Sequence, residues 1–323
     1  MRRHRTNGTT TSAPEDKNDL GFGSRLSQQE HRRMMNRDGT FNVERDGMSV
    51  VRSMSMYQWL ITIGWGKFLL LMAAFYIVVN FLFAGGYFLC GPEALNGWET
   101  TTLADRFWNC FFFSVETFGT IGYGALSPRS LSANWLMTFE AFFGLVSAAM
   151  ATGLLFARFA RPSACILYSN HAIVAPFRGG KALMVRVINQ RSNQLINLEA
   201  QIIFSMMEEK EGRRLRTYHG LKLDRERVTF FPLHWVIVHV IDEHSPLHAL
   251  TKESLKEADV EMFVLISATD ETYSQTVHSR SSYRYDEFVW GAKFRDMFIK
   301  GNGGTTVGVN INSIHEYDHV PIE

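Results

Sequence analysis

The strongest constraint on this chain is a run of 22 residues, Phe68–Leu89, that contains no charged side chain. As a helix this run would span about 33 Å, which is enough to cross the apolar core of a bilayer. A second run, Trp135–Ala157, carries one charge, at Glu140. A soluble helix of this length normally shows a polar face, and the first run shows none. The sequence therefore predicts an integral membrane protein with two membrane-spanning helices.

The distribution of Lys and Arg predicts how these spans are oriented. Residues 1–57 carry ten such side chains, whereas the segment between the spans carries only Arg106 and Arg129. Arg158 and Arg161 follow the second span directly. Because basic residues are enriched on the cytoplasmic side of membrane proteins, both termini are predicted to be cytoplasmic and residues 90–134 to lie outside.

The segment between the spans contains a short apolar part and an irregular part. Arg106–Thr117, RFWNCFFFSVET, is too short to cross a bilayer, which is typical of a re-entrant helix. The stretch after it, FGTIGYGALSP, has neither a helical nor a strand pattern. Irregular backbone at membrane depth is tolerated where protein buries it or where it lines a water-filled path. This arrangement predicts a pore.

The irregular part contains a strip suited to binding a cation. Its glycines lack a Cβ atom and can adopt backbone angles that let successive carbonyls point to one side. Four strips around an axis would form rings of oxygens that replace the hydration shell of a cation. One chain offers one oxygen per level, so the sequence predicts a homotetramer with a permeant ion and no other cofactor. The predicted filter consists of Thr120, Ile121, Gly122, Tyr123 and Gly124.

The C-terminal half of the chain is predicted to be a β-sandwich, since short alternating apolar runs are separated by turn residues. Gly179-Gly180 and Asn302-Gly303-Gly304 are typical of hairpin turns. The candidate strands contain Leu183, Val185 and Val187; Val236, Val238 and Val240; and Val307, Val309 and Ile311.

These motifs carry a family resemblance over roughly residues 45–300. TIGYG between two spans resembles the selectivity filter of potassium channels. The resemblance to inward-rectifier potassium channels, and to their bacterial branch in particular, implies passive potassium conduction in the bacterial inner membrane by a homotetramer with immunoglobulin-like cytoplasmic β-sandwiches. The further motifs that carry it are, in order, FARFARP at 156–162, ALMVRVIN at 182–189, HVIDEHSPL at 239–247 and RSSYRYDEFVWG at 280–291.

The predicted fold is therefore an α + β membrane protein with four segments. Residues 1–44 are polar and are predicted to be a disordered cytoplasmic tail. Residues 45–64 mix apolar and polar side chains, which is typical of a helix lying in the membrane interface, with a plain linker as the alternative. Residues 65–160 would form the transmembrane pore domain, and residues 161–323 the cytoplasmic regulatory β-sandwich.

Four residues of the second span recur at intervals of four and therefore fall near one helix face: Gly144, Ala148, Thr152 and Phe156. The resemblance implies that they face the conduction path, with Gly144 as a flexible glycine. It also implies that Phe156 forms the gate, which blocks ions by dewetting; a lipid-facing aromatic is the alternative. Ala148 stands where strong rectifiers carry an acid that holds polyamines or Mg²⁺, so weak rectification is expected, with any remainder coming from acids in the cytoplasmic domain.

Two carboxylates, Glu116 and Glu140, are predicted at membrane depth, where ionised groups are costly and usually functional. The resemblance implies that Glu116 supports the filter from behind. The arginine that partners this residue in eukaryotic members is missing here, since Ala125 and Leu126 occupy the positions after the filter. Arg129 is further along the chain, and its pairing with Glu116 is left open.

Basic residues near the inner leaflet are candidates for binding anionic lipid headgroups, each contributing about 1 kcal/mol. The alternative is that they only set the topology. The resemblance favours regulation by phosphoinositides or other anionic lipids and leaves the sign of that regulation open. The candidate residues are Arg52, Lys67, Arg158 and Arg161.

Other functions are less compatible with the sequence. A two-span channel regulated by a nucleotide or calcium would usually need a Rossmann unit, and no G-x-G-x-x-G motif follows a strand here. A membrane-anchored β-sandwich that only binds a partner would have no need of TIGYG. The net charge of +1 gives no bias toward nucleic acid. No nucleophile–base pair or metal-ligand spacing stands out, so the chain is not expected to be an enzyme.

Overall fold

A computed structural model describes residues 33–43, 56–97, 102–162, 164–210, 212–300 and 307–322. The chain divides into two units. The membrane unit comprises Arg45–Arg161, and the β unit comprises Met1–Glu44 together with Pro162–Glu323.

The membrane unit is built from helices. Two of them, α2 (Trp65–Leu89) and α4 (Leu131–Phe159), are long and apolar enough to cross a membrane, which confirms both predicted spans. At 1.5 Å per residue they extend for about 37 and 43 Å. Of the predicted interfacial helix over 45–64, Met56–Thr62 is helical, and residues 44–55 lie outside the described residues. The helices are α1 (Met56–Thr62), α2 (Trp65–Leu89), α3 (Leu103–Phe118) and α4 (Leu131–Phe159).

Helix α3 begins earlier than the sequence predicted because Thr102 caps it. The Thr102 hydroxyl accepts a hydrogen bond from the Asp105 N–H at 3.1 Å, which satisfies one free donor of the first turn. The helix has 16 residues and is about 24 Å long, shorter than the apolar core of a bilayer. Its length is therefore that of a re-entrant helix.

Aromatic rings pack α3 against α2. The rings of Phe81 and Phe111 lie 4.6 Å apart, and those of Tyr87 and Phe113 lie 5.0 Å apart. Two short strands, β1 (Leu95–Asn96) and β2 (Ser127–Pro128), then pair antiparallel. This pairing joins the segment that leads into α3 to the segment that follows the filter.

The β unit contains two five-stranded sheets. The strands of this unit are β3 (Ile166–Tyr168), β4 (Ala172–Phe177), β5 (Gly180–Asn189), β6 (Leu195–Lys210), β7 (Arg213–Leu221), β8 (Arg227–Phe230), β9 (His234–Ile241), β10 (Glu261–Asp270), β11 (Gln275–Arg284), β12 (Phe288–Trp290), β13 (Ala292–Phe294), β14 (Phe298–Lys300), β15 (Val307–Val309) and β16 (Tyr317–His319). In the first sheet the order is β11-β10-β6-β7, and β8 also pairs with β6; in the second it is β12-β4-β5-β3, and β9 also pairs with β5. A short helix, α5 (Lys252–Glu257), precedes β10.

Side chains from both sheets form one apolar core, which confirms the predicted β-sandwich. Leu183, Val185 and Val187 are buried on β5, and Phe204 and Val264 join them from β6 and β10 of the other sheet. Burial of these side chains removes apolar surface from water and drives the two sheets together.

The predicted strands are found with some differences in detail. Strand β9 includes Val236, Val238 and Val240, but these side chains are half-buried, and the fully buried side of the strand carries the alternate residues. The third candidate ends early, because Ile311 begins a 3-10 helix, Ile311–His315. The predicted turn at Gly179-Gly180 is confirmed by the β4–β5 hairpin. The turn predicted at 302–304 lies outside the described residues.

The last part of the predicted disordered tail, residues 33–43, is ordered against the β unit. The Glu261 carboxylate accepts hydrogen bonds from the backbone N–H groups of Met34 and Met35 at 2.9 and 3.1 Å. Arg33 donates to Glu287 at 3.0 Å, and Met35 is buried. The polar composition of this segment predicted disorder, whereas its order depends on partners more than 220 residues further along the chain.

Candidate functional site

The predicted filter has an alternating backbone. Thr120, Gly122 and Gly124 have positive φ angles of 52°, 61° and 79°, whereas Ile121 and Tyr123 between them do not. Residues that alternate between left-handed and right-handed conformations turn successive carbonyls toward the same side of the strip. Glycine adopts positive φ without steric cost, which explains why two of these three positions are glycine. The strip can therefore present a row of oxygens to a cation.

The end of α3 holds the beginning of this strip. The Thr120 N–H donates to the Thr117 carbonyl at 3.1 Å, and the Ile121 N–H donates to the Glu116 carbonyl at 2.8 Å. These bonds continue the helix into the filter and stabilise the positive φ of Thr120. Because the C-terminal end of a helix carries partial negative charge, α3 also favours a cation near the start of the strip.

Within one chain the filter is poorly covered. The Tyr123 side chain is 78% exposed and that of Ile121 is 48% exposed. A Cβ atom added at Gly122 or Gly124 would meet no atom within 4 Å. The filter thus depends little on side-chain packing inside the chain, and its shape comes from its backbone conformation.

The residues predicted to line the inner helix divide into two groups. Ala148, Thr152 and Phe156 are exposed, and Phe156 is 73% exposed. Gly144 is instead buried against the end of α3, where an added Cβ atom would lie 2.6 Å from the Phe118 carbonyl oxygen. The expectation that Gly144 faces the conduction path is therefore corrected. Its missing side chain allows α4 to approach the helix that carries the filter.

The contacts of the two carboxylates, Glu116 and Glu140, differ from those that the sequence predicted. Glu116 is half-buried, and among the described residues its side chain has no hydrogen bond or ion pair. Arg129 lies 3.9 Å from Glu93, in an exposed pair, so it does not partner Glu116. The carboxyl group that does contact α3 from behind is that of Glu140, which is completely buried.

Sequence reasoning singled out Glu140 but missed its partners. The Tyr87 hydroxyl donates to Glu140 Oε2 at 2.6 Å, and the Ser114 hydroxyl lies within hydrogen-bond distance of Oε1. Asn80 contacts the same Ser114 hydroxyl at 3.1 Å. Asn80, a polar side chain within the charge-free run, is a further sequence signal for this cluster.

The candidate lipid-binding residues have different surroundings. Lys67 and Arg161 are exposed. Arg158 donates to the carbonyls of Leu60 and Ile63, the latter at 2.6 Å, and its guanidinium also lies 4.4 Å from the centre of the Phe68 ring. Arg158 therefore joins the end of α4 to the last part of α1 and to Ile63, which follows it. Arg52 lies outside the described residues.

Two apolar spans, a re-entrant helix and an alternating filter define the subunit of a potassium channel. Comparison with known families agrees with this class. Residues 35–162 match the inward rectifier potassium channel transmembrane domain, and residues 166–323 match the inward rectifier potassium channel C-terminal domain. The chain belongs to the inward rectifier potassium channel family.

Three curated relatives illustrate the similarity. The inward rectifier potassium channel Kirbac3.1 of Paramagnetospirillum magnetotacticum is 38% identical over 88% of this chain and 95% of its own length. The ATP-sensitive inward rectifier potassium channel 15 of Rattus norvegicus is 29% identical over 88% of this chain and 75% of its own length. The inward rectifier potassium channel 4 of Mus musculus is 33% identical over 67% of this chain and 51% of its own length.

Proposed function

We propose that four copies of this chain assemble around an axis and conduct potassium passively through the strip Thr120–Gly124. The alternating φ angles of that strip carry the proposal, because they direct its carbonyls to one side. One chain supplies one oxygen per level, so a dehydrated cation needs several copies around it. The exposed Ile121 and Tyr123 side chains would then pack against neighbouring copies.

The gate is proposed at Phe156, with the β unit as its regulator. Four exposed phenyl rings near the cytoplasmic end of the pore would form an apolar constriction that excludes hydrated ions. Ala148 offers a methyl group to the same pathway and no charge to hold Mg²⁺ or a polyamine, which supports weak rectification. Both termini would be cytoplasmic, in the bacterial plasma membrane.

Regulation by anionic lipids is proposed through Lys67 and Arg161, whose side chains are exposed. Arg158 would act differently, since its donors already bind the backbone carbonyls of Leu60 in α1 and of Ile63 directly after α1. Replacing Lys67 and Arg161 with Gln should reduce the response of ion flux to added anionic lipid. Lys252→Gln, an exposed change on α5 of the β unit, is the control. An unchanged lipid response in the double variant would exclude this site.

Flux of ⁸⁶Rb⁺ into liposomes containing the purified protein tests the proposal. We expect uptake that Ba²⁺ blocks and that competing K⁺ reduces, while Na⁺ has little effect. Phe156→Ala should increase uptake if the ring closes the pore. Equal uptake of Na⁺ and Rb⁺, or none even in Phe156→Ala, would contradict a potassium-selective pore.

A further inference from the structure

Four polar side chains from three helices meet behind the pore helix, fully buried from solvent. Asn80 and Tyr87 come from α2, Ser114 from α3 and Glu140 from α4, and each is 0% exposed. The burial is complete within one chain. Additional copies of the chain therefore cannot reach these groups unless the three helices first move apart.

The orientation of Asn80 follows from its second hydrogen bond. Its Nδ2 donates to the Tyr76 carbonyl at 2.8 Å, so its Oδ1 faces Ser114 at 3.1 Å. Exchanging the two amide atoms would place Oδ1 against the Tyr76 carbonyl oxygen, and two acceptors would then face each other. Asn80 thus presents only an acceptor to Ser114.

If Glu140 is ionised, the cluster has one hydrogen too few for its three hydrogen-bond contacts. The cluster has three contacts: Tyr87 with Glu140, Ser114 with Asn80, and Ser114 with Glu140. The Tyr87 and Ser114 hydroxyls supply one hydrogen each, while Asn80 Oδ1 and a carboxylate supply none. An ionised Glu140 therefore leaves Ser114 without a hydrogen for one of its two acceptors.

A proton on Glu140 Oε1 completes the cluster. Glu140 Oε1–H then donates to Ser114 Oγ, the Ser114 hydroxyl donates to Asn80 Oδ1, and the Tyr87 hydroxyl donates to Glu140 Oε2. All three contacts then have a hydrogen, and no atom moves. The chain of hydrogen bonds runs from α4 through α3 to α2.

The surroundings of Glu140 also favour the neutral acid. Within the described ranges, it forms no ion pair with Lys, Arg or His. The titratable groups nearest to it are Tyr87 on α2 and Cys110 and Glu116 on α3, and none of them is a cation at neutral pH.

The cations on these two helices are engaged elsewhere: Lys67 is exposed near the start of α2, and the Arg106 guanidinium on α3 donates to the Phe88 carbonyl and lies 4.2 Å from the centre of the Phe88 ring. A buried carboxylate without a cationic partner is strongly disfavoured.

We propose that Glu140 is a protonated, uncharged positioning residue that fastens the pore helix to both spans through Ser114. Helix α3 ends at Phe118, directly before the filter, so a displaced α3 would displace the filter strip. This inference rests on the potassium-channel activity of the family and is independent of the proposals for the gate and the lipid site.

Infrared spectroscopy of the folded protein tests the protonation directly. The carbonyl stretching band of a protonated carboxylic acid should be present at neutral pH and should disappear in Glu140→Gln. Glu116→Gln is the matched control, because Glu116 is a carboxylate on α3, the helix that also carries Ser114, and this variant should leave that band in place. A spectrum in which Glu140→Gln removes only carboxylate bands would overturn the proposal, whatever the flux shows.

Rescue by the isosteric amide tests the positioning role. Gln can donate to Ser114 and accept from Tyr87, so Glu140→Gln should keep wild-type ⁸⁶Rb⁺ uptake and exclusion of Na⁺. Glu140→Ala and Ser114→Ala each remove two of the three hydrogen bonds, so each should lower Rb⁺ uptake by at least about fivefold, the factor for one lost buried hydrogen bond, and weaken the exclusion of Na⁺. Thr138→Ala, which removes an exposed hydroxyl bonded only within α4, is the control.

Glu140→Gln is the decisive variant. If it fails to assemble, or loses uptake as far as Glu140→Ala does, Glu140 does not act as a neutral acid. If Ser114→Ala leaves uptake and selectivity unchanged, the link from Glu140 to the pore helix is also contradicted. A wild-type protein with no selective uptake would instead contradict the potassium-channel function, while the infrared result would still report on Glu140.

Discussion

The β unit and the membrane unit use their apolar side chains in opposite ways. In the β unit, residues such as Phe204 and Val264 are enclosed between two sheets of the same chain. In the membrane unit, large apolar side chains such as Leu70, Leu82 and Phe142 remain exposed along the spans. The β unit therefore completes its core by itself, whereas the membrane unit leaves apolar surface that lipid and, in the proposed tetramer, other copies of the chain would cover.

The two units also differ in where residues other than glycine adopt a positive φ: in the β unit Arg178 and Ser274 do so in hairpin turns, whereas in the membrane unit Thr120 does so in the filter. The filter contains Thr120 at φ 52°, a β-branched residue in the left-handed region, which costs about 1–2 kcal/mol. The hydrogen bonds of Thr120 and Ile121 to the end of α3 offset part of this cost. Strain of this kind is typical of functional sites. The filter is thus defined by its backbone and the β unit by its packed core.

The largest effect is expected from Gly122→Ala. A Cβ atom would have open space there, but alanine disfavours φ 61°, and relaxing to negative φ would turn a carbonyl away from the strip. We expect ⁸⁶Rb⁺ uptake to fall to background while the β unit keeps its thermal stability. Gly66→Ala, at a helical glycine with no positive φ, is the control. Normal selective uptake by Gly122→Ala would show that the alternating backbone is not required.

Phe204→Ala should instead lower the stability of the β unit. Phe204 is fully buried in the core of the β unit, so its truncation should lower the free energy of unfolding by about 3–5 kcal/mol. Urea unfolding followed by circular dichroism of the β structure would measure this change. Phe230→Ala, at a phenylalanine that is 75% exposed, should cost less than about 0.5 kcal/mol. Equal losses in the two variants would contradict the assigned core.

Gly144→Ala tests the contact between α4 and α3. The added methyl group would lie 2.6 Å from the Phe118 carbonyl oxygen, and pushing the helices apart should cost about 1–3 kcal/mol. We expect lower thermal stability of the membrane unit and reduced Rb⁺ uptake. Gly153→Ala, on the same helix with no atom within 4 Å, should change neither quantity. A fully active, stable Gly144→Ala would contradict this contact, whereas a stable variant with reduced uptake would favour the flexible role that the family resemblance implied.

The smallest effect is expected from the pH dependence of the β unit. Burial lowers the pKa of His239 below its ordinary value of 6.5. In its neutral form, Nδ1–H donates to the Lys222 carbonyl at 2.7 Å and Nε2 accepts from the Ser245 hydroxyl at 2.8 Å. Since the folded-state pKa is depressed, this stabilisation is present above the unfolded pKa and is lost as the pH falls through the folded pKa.

Thermal unfolding of the β unit within the full chain would measure this dependence at pH 7.5 and at pH values below 6.5. Burial also lowers the pKa values of His234 and His315, which contribute with the same sign. His239→Gln should therefore reduce the loss of stability on acidification without abolishing it, whereas the exposed control His244→Gln should not reduce it. An identical loss of thermal stability on acidification in His239→Gln and in the wild type would contradict the contribution of His239.

Features that depend on local sequence could be predicted, and features that depend on contacts between distant segments could not. The spans follow from apolar length, and the filter strip follows from Gly122 and Gly124. The burial of Gly144 depends on which face of α4 meets α3, and spacing along one helix does not contain that information. The order of residues 33–43 likewise depends on Glu261 and Glu287, far along the chain.

The partners of Glu140 illustrate the same limit. The sequence indicated that a carboxyl group at membrane depth would be important. Its hydrogen-bond partners could not be predicted, because Tyr87 and Ser114 lie on two other helices and meet it only when all three pack together.

Selection of potassium by the backbone of the strip Thr120–Gly124 is tested most directly by the zero-current potential across a planar bilayer that contains the purified protein, with KCl on one side and an equal concentration of NaCl on the other. A potassium-selective filter predicts a potential close to that of a membrane permeable only to K⁺, and the loss of this current in Gly122→Ala. A potential near zero, with current carried equally by both cations, would contradict selection by this strip.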